Sequence, residues 1–230
     1  MSTLPISDVI IAGGGPGGSQ LAALLSRGYV KVTLFERDFF PREHIGESLN
    51  PKTTVCLEES GALEKVLASQ CYVVKYGGWY AFDPDRDPYL LFFNHGKMVN
   101  DGFYRWTVHV NRLEFDKILL EHAKDCGAAI YEGIGVAGAE REGEFTRVTL
   151  ENGEQQLCRI FVEASGRGQT LVGTKRKFIS QYKNIAVWNH FVDAKPVVEL
   201  DEKWNIFRDH SQKGPVFQAP WAIEHQRSAI

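Results

Sequence analysis

Near its start the chain alternates unbroken apolar runs with glycine. Asp8-Val9-Ile10-Ile11-Ala12 is a short continuous apolar run, the pattern of a strand buried on both faces of a parallel sheet, where no side meets water. It stops at Gly13-Gly14-Gly15-Pro16-Gly17-Gly18. Ser19 to Leu25 then reads as helix ending near Gly28, and Lys31-Val32-Thr33-Leu34-Phe35 is a second buried strand that closes on Glu36. A further helical stretch begins near Ser48 or Asn50, either of which suits the cap with Pro51 in the first turn, and runs through Val55, Leu57, Leu63, Val66 and Leu67 with a break at Gly61. Leu113, Phe115, Ile118, Leu119 and Ala123 fall on one face of a helix over 113–126 that Gly127 ends. Ala128 to Tyr131 predicts another strand. Segments 134–141, 145–150 and 155–162 predict a meander, the last two joined by Glu151-Asn152-Gly153-Glu154, whose Asn-Gly predicts a type I′ turn.

The glycine-rich break carries the first candidate chemistry. Gly13, Gly15 and Gly18 stand in G-x-G-x-x-G spacing between a predicted strand and a predicted helix. There the first glycine allows a tight turn, the second lets a pyrophosphate approach the backbone, and the third lets helix and strand pack closely. The helix start offers unpaired N–H groups and a partial positive charge to phosphates. Glu36, some twenty residues on, is where a carboxylate accepts hydrogen bonds from a ribose diol. Together these predict dinucleotide binding and leave open whether the nucleotide is FAD or NAD. Pro41 and Arg42, after the second strand, can bring a guanidinium toward such a cofactor.

Composition narrows the rest. The chain has 230 residues, 43% of them hydrophobic, enough for one large domain or one domain with an extension. A net charge of −3 with scattered basic residues argues against a nucleic-acid or anionic-membrane partner and favours a small molecule. Cys56, Cys71, Cys126 and Cys158 form no C-x-x-C and are expected to be reduced. No H-E-x-x-H or paired ligand spacing among the seven histidines suggests a metal, and Ser165 lies in no nucleophile elbow. No apolar run reaches membrane-span length and no leader pattern opens the chain, so a cytoplasmic location is expected.

Five stretches together resemble a known family. G-G-G-P-G-G-S from Gly13 to Ser19, and then F-E-R-D-F-F-P-R-E-H-I-G-E-S-L-N-P from Phe35 to Pro51, resemble the flavin-dependent halogenases acting on phenols and carrier-bound pyrroles, within the class A FAD-dependent monooxygenases. Val108 to Asp116 resembles the strand-to-helix segment whose arginine, here Arg112, approaches FAD. Val162-Glu163-Ala164-Ser165-Gly166-Arg167 resembles the later D-A-S/T-G-R turn with Glu163 in place of aspartate, and 185–191 resembles the strand that opens the substrate region.

The resemblance implies an α/β, Rossmann-like, three-layer FAD-binding fold with a β-meander and the start of a substrate-binding sheet. It implies domains at 1–182, interrupted by substrate-domain strands near 71–111, and at 183–230. It implies FAD contacts from Gly13, Gly15, Pro16, Gly17, Gly18, Ser19, Glu36, Arg37, Arg42, Ile45, Gly46, Glu47, Ser48, Arg112, Ala164, Ser165 and Gly166.

The reaction it implies uses reduced FAD, oxygen and halide to make hypohalous acid, which a lysine relays to an electron-rich aromatic. In the family that lysine stands in a K-x-G-G/A-x-F/Y setting; here Lys75-Tyr76-Gly77-Gly78-Trp79-Tyr80 matches. An ammonium polarises hypohalous acid and a neutral amine forms a haloamine, and partial burial, which lowers a lysine pKa, makes either role easier. Tyr72, Tyr76, Trp79 and Tyr80 can flank a planar aromatic, either free or tethered to a carrier protein, and a separate flavin reductase is the implied partner. On the strand pattern alone, a solvated lysine with packed aromatics reads as well. W-x-W-x-I-P and a later G-D-A turn, both expected of the family, are not found in these residues. The chain is therefore expected to be a fragment, a truncated product or one part of a two-chain assembly. An aromatic hydroxylase and a non-catalytic FAD-binding module are the rival functions.

Overall fold

A computed structural model describes residues 6–69, 71–75, 77–80, 89–92 and 106–166, and four three-residue strands further on. In chain order the elements are β1 (Ile6–Ala12), α1 (Pro16–Arg27), β2 (Val32–Glu36), α2 (Pro51–Ser60), α3 (Leu63–Ala68), β3 (Tyr72–Lys75), β4 (Gly77–Tyr80), β5 (Tyr89–Phe92), β6 (Thr107–Val110), α4 (Arg112–Asp125), β7 (Ala129–Glu132), β8 (Val136–Glu142), β9 (Phe145–Leu150) and β10 (Gln155–Glu163). Beyond them lie β11 (His190–Val192), β12 (Val198–Leu200), β13 (Phe207–Asp209) and β14 (Arg227–Ala229). The side chains of Tyr76, Trp79 and Tyr80, Arg167, and residues 185–189 lie outside what is described.

The chain divides into two compact units. The first comprises 1–45, 56–68 and 111–183; the second comprises 46–55, 69–110 and 184–230. In the first unit a six-stranded sheet runs β7-β2-β1-β10-β9-β8. β1 pairs in parallel with β2 (Ile11↔Leu34) and with β10 (Ile11↔Val162), and β2 pairs in parallel with β7. β10, β9 and β8 form the antiparallel meander.

Both faces of β1 are covered, as its unbroken apolar run requires. Val9 and Ile11, with Val32 and Leu34, pack on Ala22 and Ala23 of α1 and Leu120 and Ala123 of α4. The alternate residues Ile10 and Ala12 join Phe35 and the meander residues Val136, Val148, Leu150 and Cys158. Phe35 also stacks on Tyr131, ring centroids 5.2 Å apart.

Helix ends follow local chemistry. Gly61, at φ +81°, separates α2 from α3, and Asn50 accepts the Thr53 amide at 3.3 Å, so Asn50 rather than Ser48 caps α2. Past α1 the left-handed residue is Tyr29 (φ 63°), while Gly28 keeps a negative φ.

The 151–154 turn is not type I′. That turn needs positive φ at both central residues, and Asn152 is not among the positive-φ positions. Instead the Gly153 amide donates to Leu150 O (2.9 Å), the Leu150 amide donates to Glu154 O (2.9 Å), and Gly153 alone is left-handed (φ 86°). This is a three-residue loop, a type I turn followed by a glycine bulge. Asn152 Oδ1 accepts the Glu154 amide at 3.0 Å, which stabilises that alternative locally.

The second unit pairs β3 antiparallel with β6 (Tyr72↔Val110, Lys75↔Thr107) and β4 with β5. The Glu47–Leu49 segment adds itself along β6: the Val110 amide donates to Glu47 O (2.9 Å), the Leu49 amide donates to Val108 O (3.1 Å), and Ser48 bridges His109. Its flexible start is Gly46, at φ +103°. No helix among the described residues is long and apolar enough to cross a membrane.

Candidate functional site

The glycine loop of the first unit is built by contact. A Cβ on Gly13 would come within 2.5 Å of the Ala164 carbonyl oxygen, and Gly13 takes φ +109°, so the turn demands glycine twice over. A Cβ on Gly18 would collide with the Gly13 carbonyl oxygen, which is the close packing of helix on loop expected of the third motif glycine. Gly15 and Gly17 differ: a Cβ would meet only Arg42 Nη2 at 3.7 Å in the first case and nothing within 4 Å in the second. The loop is therefore pinned at Gly13 and Gly18 and open between them.

Gly15 is the N-cap of α1, with Pro16 following and no side-chain hydrogen bond at the cap. The first-turn N–H groups that remain are thus left to a ligand or water. Ser19 is not such a group. Its hydroxyl donates to Gly14 O (2.8 Å) and its amide to Gly15 O (3.0 Å), so it holds the loop in shape.

Glu36 ends β2, buried to 5% exposure. Its carboxylate accepts the Gly14 amide at 2.6 Å and the Asp38 amide at 3.0 Å, which fixes it beside the loop. Arg37 follows it, exposed. Arg42 folds back with Nη2 3.9 Å from Glu36, Nε 3.5 Å from Asp38 and Nη1 3.9 Å from Asp116, and its guanidinium lies over the Phe40 ring. The Nε of Arg42 is buried without a hydrogen-bond partner.

Arg112 begins α4, where Asn111 caps the helix by accepting the Leu113 amide at 3.1 Å. Its guanidinium grips Asp116 with two bonds of 2.7 Å each and donates a third to Ile45 O at 2.8 Å. Asp116 is fully buried and faces both arginines. Sequence reading assigned Arg112 a role and passed over Asp116; the available signal was the R-x-x-x-D spacing, which puts the pair on one helix face. On the far side of the loop, Ala164 donates its amide to Ala12 O, Ser165 Oγ donates to Glu163 Oε1 (3.2 Å), and Gly166 takes φ +63°. Glu163, standing where the family carries aspartate, thus serves the turn itself.

In the second unit Lys75 is half-buried on β3 and donates from Nζ to Leu49 O at 3.0 Å. Burial holds its amine below the ordinary lysine range. Gly46 donates its amide to Glu47 Oε2 (3.0 Å), and Ser48 is exposed beside β6. His109, one of the seven histidines without metal-ligand spacing, has a buried Nδ1 without a hydrogen-bond partner. Its pKa is pushed down to about 4, by burial first and the Lys75 charge second. Among the described residues no three His, Cys, Asp or Glu gather as a metal site.

A strand, a pinned glycine loop, an uncapped helix start and a fixed carboxylate define a dinucleotide-binding protein. The open space at Gly15 and Gly17, with Arg42 Nη2 beside Gly15, fits a diphosphate cofactor. The chain belongs to the FAD binding domain family, whose model matches residues 7–193, and its cofactor is FAD. It is similar to the 1H-pyrrole-2-carbonyl-(peptidyl-carrier protein) chlorinase of Pseudomonas fluorescens, with 36% identity over 85% of this chain and 48% of that protein. It is also similar to the tryptophan 2-halogenase of Chondromyces crocatus, with 35% identity over 84% of this chain and 37% of that protein. Among solved structures it resembles the FAD-dependent myxobacterial chondrochloren halogenase CndH, with TM-score 0.61 and 30% identity, over 72% of this chain and 38% of that one. The chain spans about half the length, or less, of the curated relatives it matches.

Proposed function

We propose that the chain is the cofactor-binding half of a flavin-dependent halogenase that uses reduced FAD, oxygen and halide to halogenate an electron-rich aromatic. The observation that carries this reading is Lys75: a half-buried amine, its pKa lowered by burial, anchored by Leu49 O, in a chain of the FAD binding domain family similar to halogenases. Reduced FAD, when bound, supplies the electrons that activate oxygen.

The chain's own residues have separable tasks in this proposal. The Gly13–Gly18 loop and the start of α1 receive the pyrophosphate, with Pro16 and Ser19 shaping the turn. Glu36 takes the ribose and Arg37 flanks it. Arg42, oriented by Asp38 and Asp116, offers its guanidinium to the cofactor, with Nη2 nearest Gly15. Arg112, Ile45, Ala164, Ser165 and Gly166 add further contacts from the first unit. The first unit is then the FAD-binding domain and the second begins the substrate region. Lys75 receives hypohalous acid, and its Leu49 hydrogen bond restrains the side chain for that encounter. The substrate is a planar aromatic, free or carrier-tethered as in the named pyrrole chlorinase. A separate flavin reductase supplies reduced cofactor, and a cytoplasmic location suits the four free cysteines.

Product mass spectrometry with chloride or bromide, oxygen and reduced FAD tests the reading on this chain. Lys75→Ala should abolish halogenation while flavin oxidation continues. Halogenated product from that variant would remove Lys75 from the mechanism. Oxygenated product without halogen, unaffected by the variant, would establish the hydroxylase instead. FAD binding with neither product would leave a non-catalytic cofactor module.

A further inference from the structure

The second unit contains a buried base that the relay reading does not use. β3 and β6 pair so that Lys75 stands opposite Thr107 and His109 opposite Val73. Cross-strand partners share a face and alternate residues return to it, so Val73, Lys75, Thr107 and His109 lie on one face, with Lys75 and His109 as diagonal neighbours within reach of long side chains.

The groups around this pair are spoken for. Thr107 gives its hydroxyl to Asn50 O at 3.1 Å, and Lys75 gives one N–H to Leu49 O at 3.0 Å. Of the elements paired with β6, β3 carries the titratable groups Tyr72 and Lys75, with Tyr72 on the opposite face. The Glu47–Leu49 segment carries Glu47, whose carboxylate accepts the Gly46 amide. His109 Nδ1 has no partner although it is buried. A buried ring nitrogen left without a bond carries a desolvation cost that native structures seldom bear without a role.

Resting on the relay reading of Lys75, we propose that His109 is its proton-accepting partner: Nδ1 takes up, directly or through one water, the proton the amine must shed before hypohalous acid can halogenate it. The step balances. Lys75 ammonium gives one proton to His109, and the freed nitrogen pair bonds to the halogen as the O–X bond breaks toward oxygen. The nitrogen's second proton then joins that oxygen as water. The products are a neutral haloamine, water and an imidazolium. The halogen keeps its oxidation state, so no electron donor is needed.

Electrostatics keeps the acceptor available, while the transfer itself runs uphill and is drawn forward by haloamine formation. Burial and the Lys75 charge together hold His109 at about 4, so it is neutral and able to accept at working pH. When Lys75 becomes a neutral haloamine the second of those causes disappears, and the imidazole gains basicity as the proton arrives.

The test uses the purified chain and reagent hypochlorous acid, so it needs no cofactor. Exchange of one hydrogen for chlorine at Lys75 is followed by mass spectrometry across a pH series, against Lys75→Ala as blank. Wild-type chain should chlorinate Lys75 near neutral pH, and His109→Gln should do so slower by on the order of 10²-fold. The two should converge at alkaline pH, where the amine is already neutral. Superimposable profiles would overturn the proposal and leave the relay standing. Absence of chlorine at Lys75 in the wild-type chain would overturn the relay itself. Should His109→Gln fail to fold, imidazole resonances of Lys75→Met decide the matter: His109 should titrate above about 4 once the neighbouring charge is gone, and an unmoved titration refutes the coupling.

Discussion

Replacing Asp116 by asparagine removes one charge and almost no volume from the centre of the first unit. Asp116 is fully buried, holds Arg112 through two 2.7 Å bonds and lies 3.9 Å from Arg42 Nη1. Arg112 itself is only 9% exposed, so its guanidinium has little water to fall back on. Removing one partner of a buried pair leaves an uncompensated charge at a cost of about 3–5 kcal/mol. Asparagine still accepts one bond, and Arg42, 18% exposed, recovers some solvation. We therefore expect a loss of about 3 kcal/mol, roughly 6–12 °C in Tm for a chain of this size. Urea unfolding with intrinsic fluorescence, run as a double-mutant cycle with Arg112→Leu, isolates the pair. FAD titration of the same variants should show weaker binding, because the two arginines lose their common anchor. A coupling energy below about 0.5 kcal/mol would mean that the pair is no more than a solvated surface contact, and the argument from burial would fail.

Other outcomes follow from single positions. Gly18→Ala should unfold or strongly destabilise the chain in a thermal melt, since its Cβ meets the Gly13 carbonyl, whereas Gly17→Ala, with nothing within 4 Å, should leave Tm unchanged or raised and weaken FAD binding in titration. Tyr29→Gly should stabilise by about 1 kcal/mol in urea unfolding, because Tyr29 sits at φ 63° where a side chain is strained. His109 binds protons more weakly folded, at about 4, than unfolded, near 6.5. Its contribution is accordingly complete above pH 6.5 and lost as pH falls toward 4, by at most about 3 kcal/mol. The slope of stability against pH in that window should vanish in His109→Gln. Asn111→Ala should cost about 1 kcal/mol through loss of the α4 cap.

The cofactor loop was legible because its requirements are local. Gly13 must turn and Gly18 must admit a helix, so their spacing between a strand and a helix already states the geometry, and Glu36 at the end of β2 follows from strand length. The meander was legible for the same reason, yet its turn was misread. Asn-Gly favours type I′, but Asn152 used its side chain on the Glu154 amide and the loop took one residue more.

By itself the sequence determined the parallel strand pair, the glycine loop and the helix breaks at Gly61 and Gly127, because each depends on neighbours within a few residues. The tertiary structure decided what long-range pairing alone can bring together. Asp116 became the anchor of two arginines, one of them from a loop over seventy positions earlier. Ser19 was drawn into holding the loop. The Glu47–Leu49 segment was added to β6, and His109 was set on the same face as Lys75. Hydrophobic periodicity reports which face of an element is buried, and it carries no information about which distant charge or base that burial will leave as a neighbour.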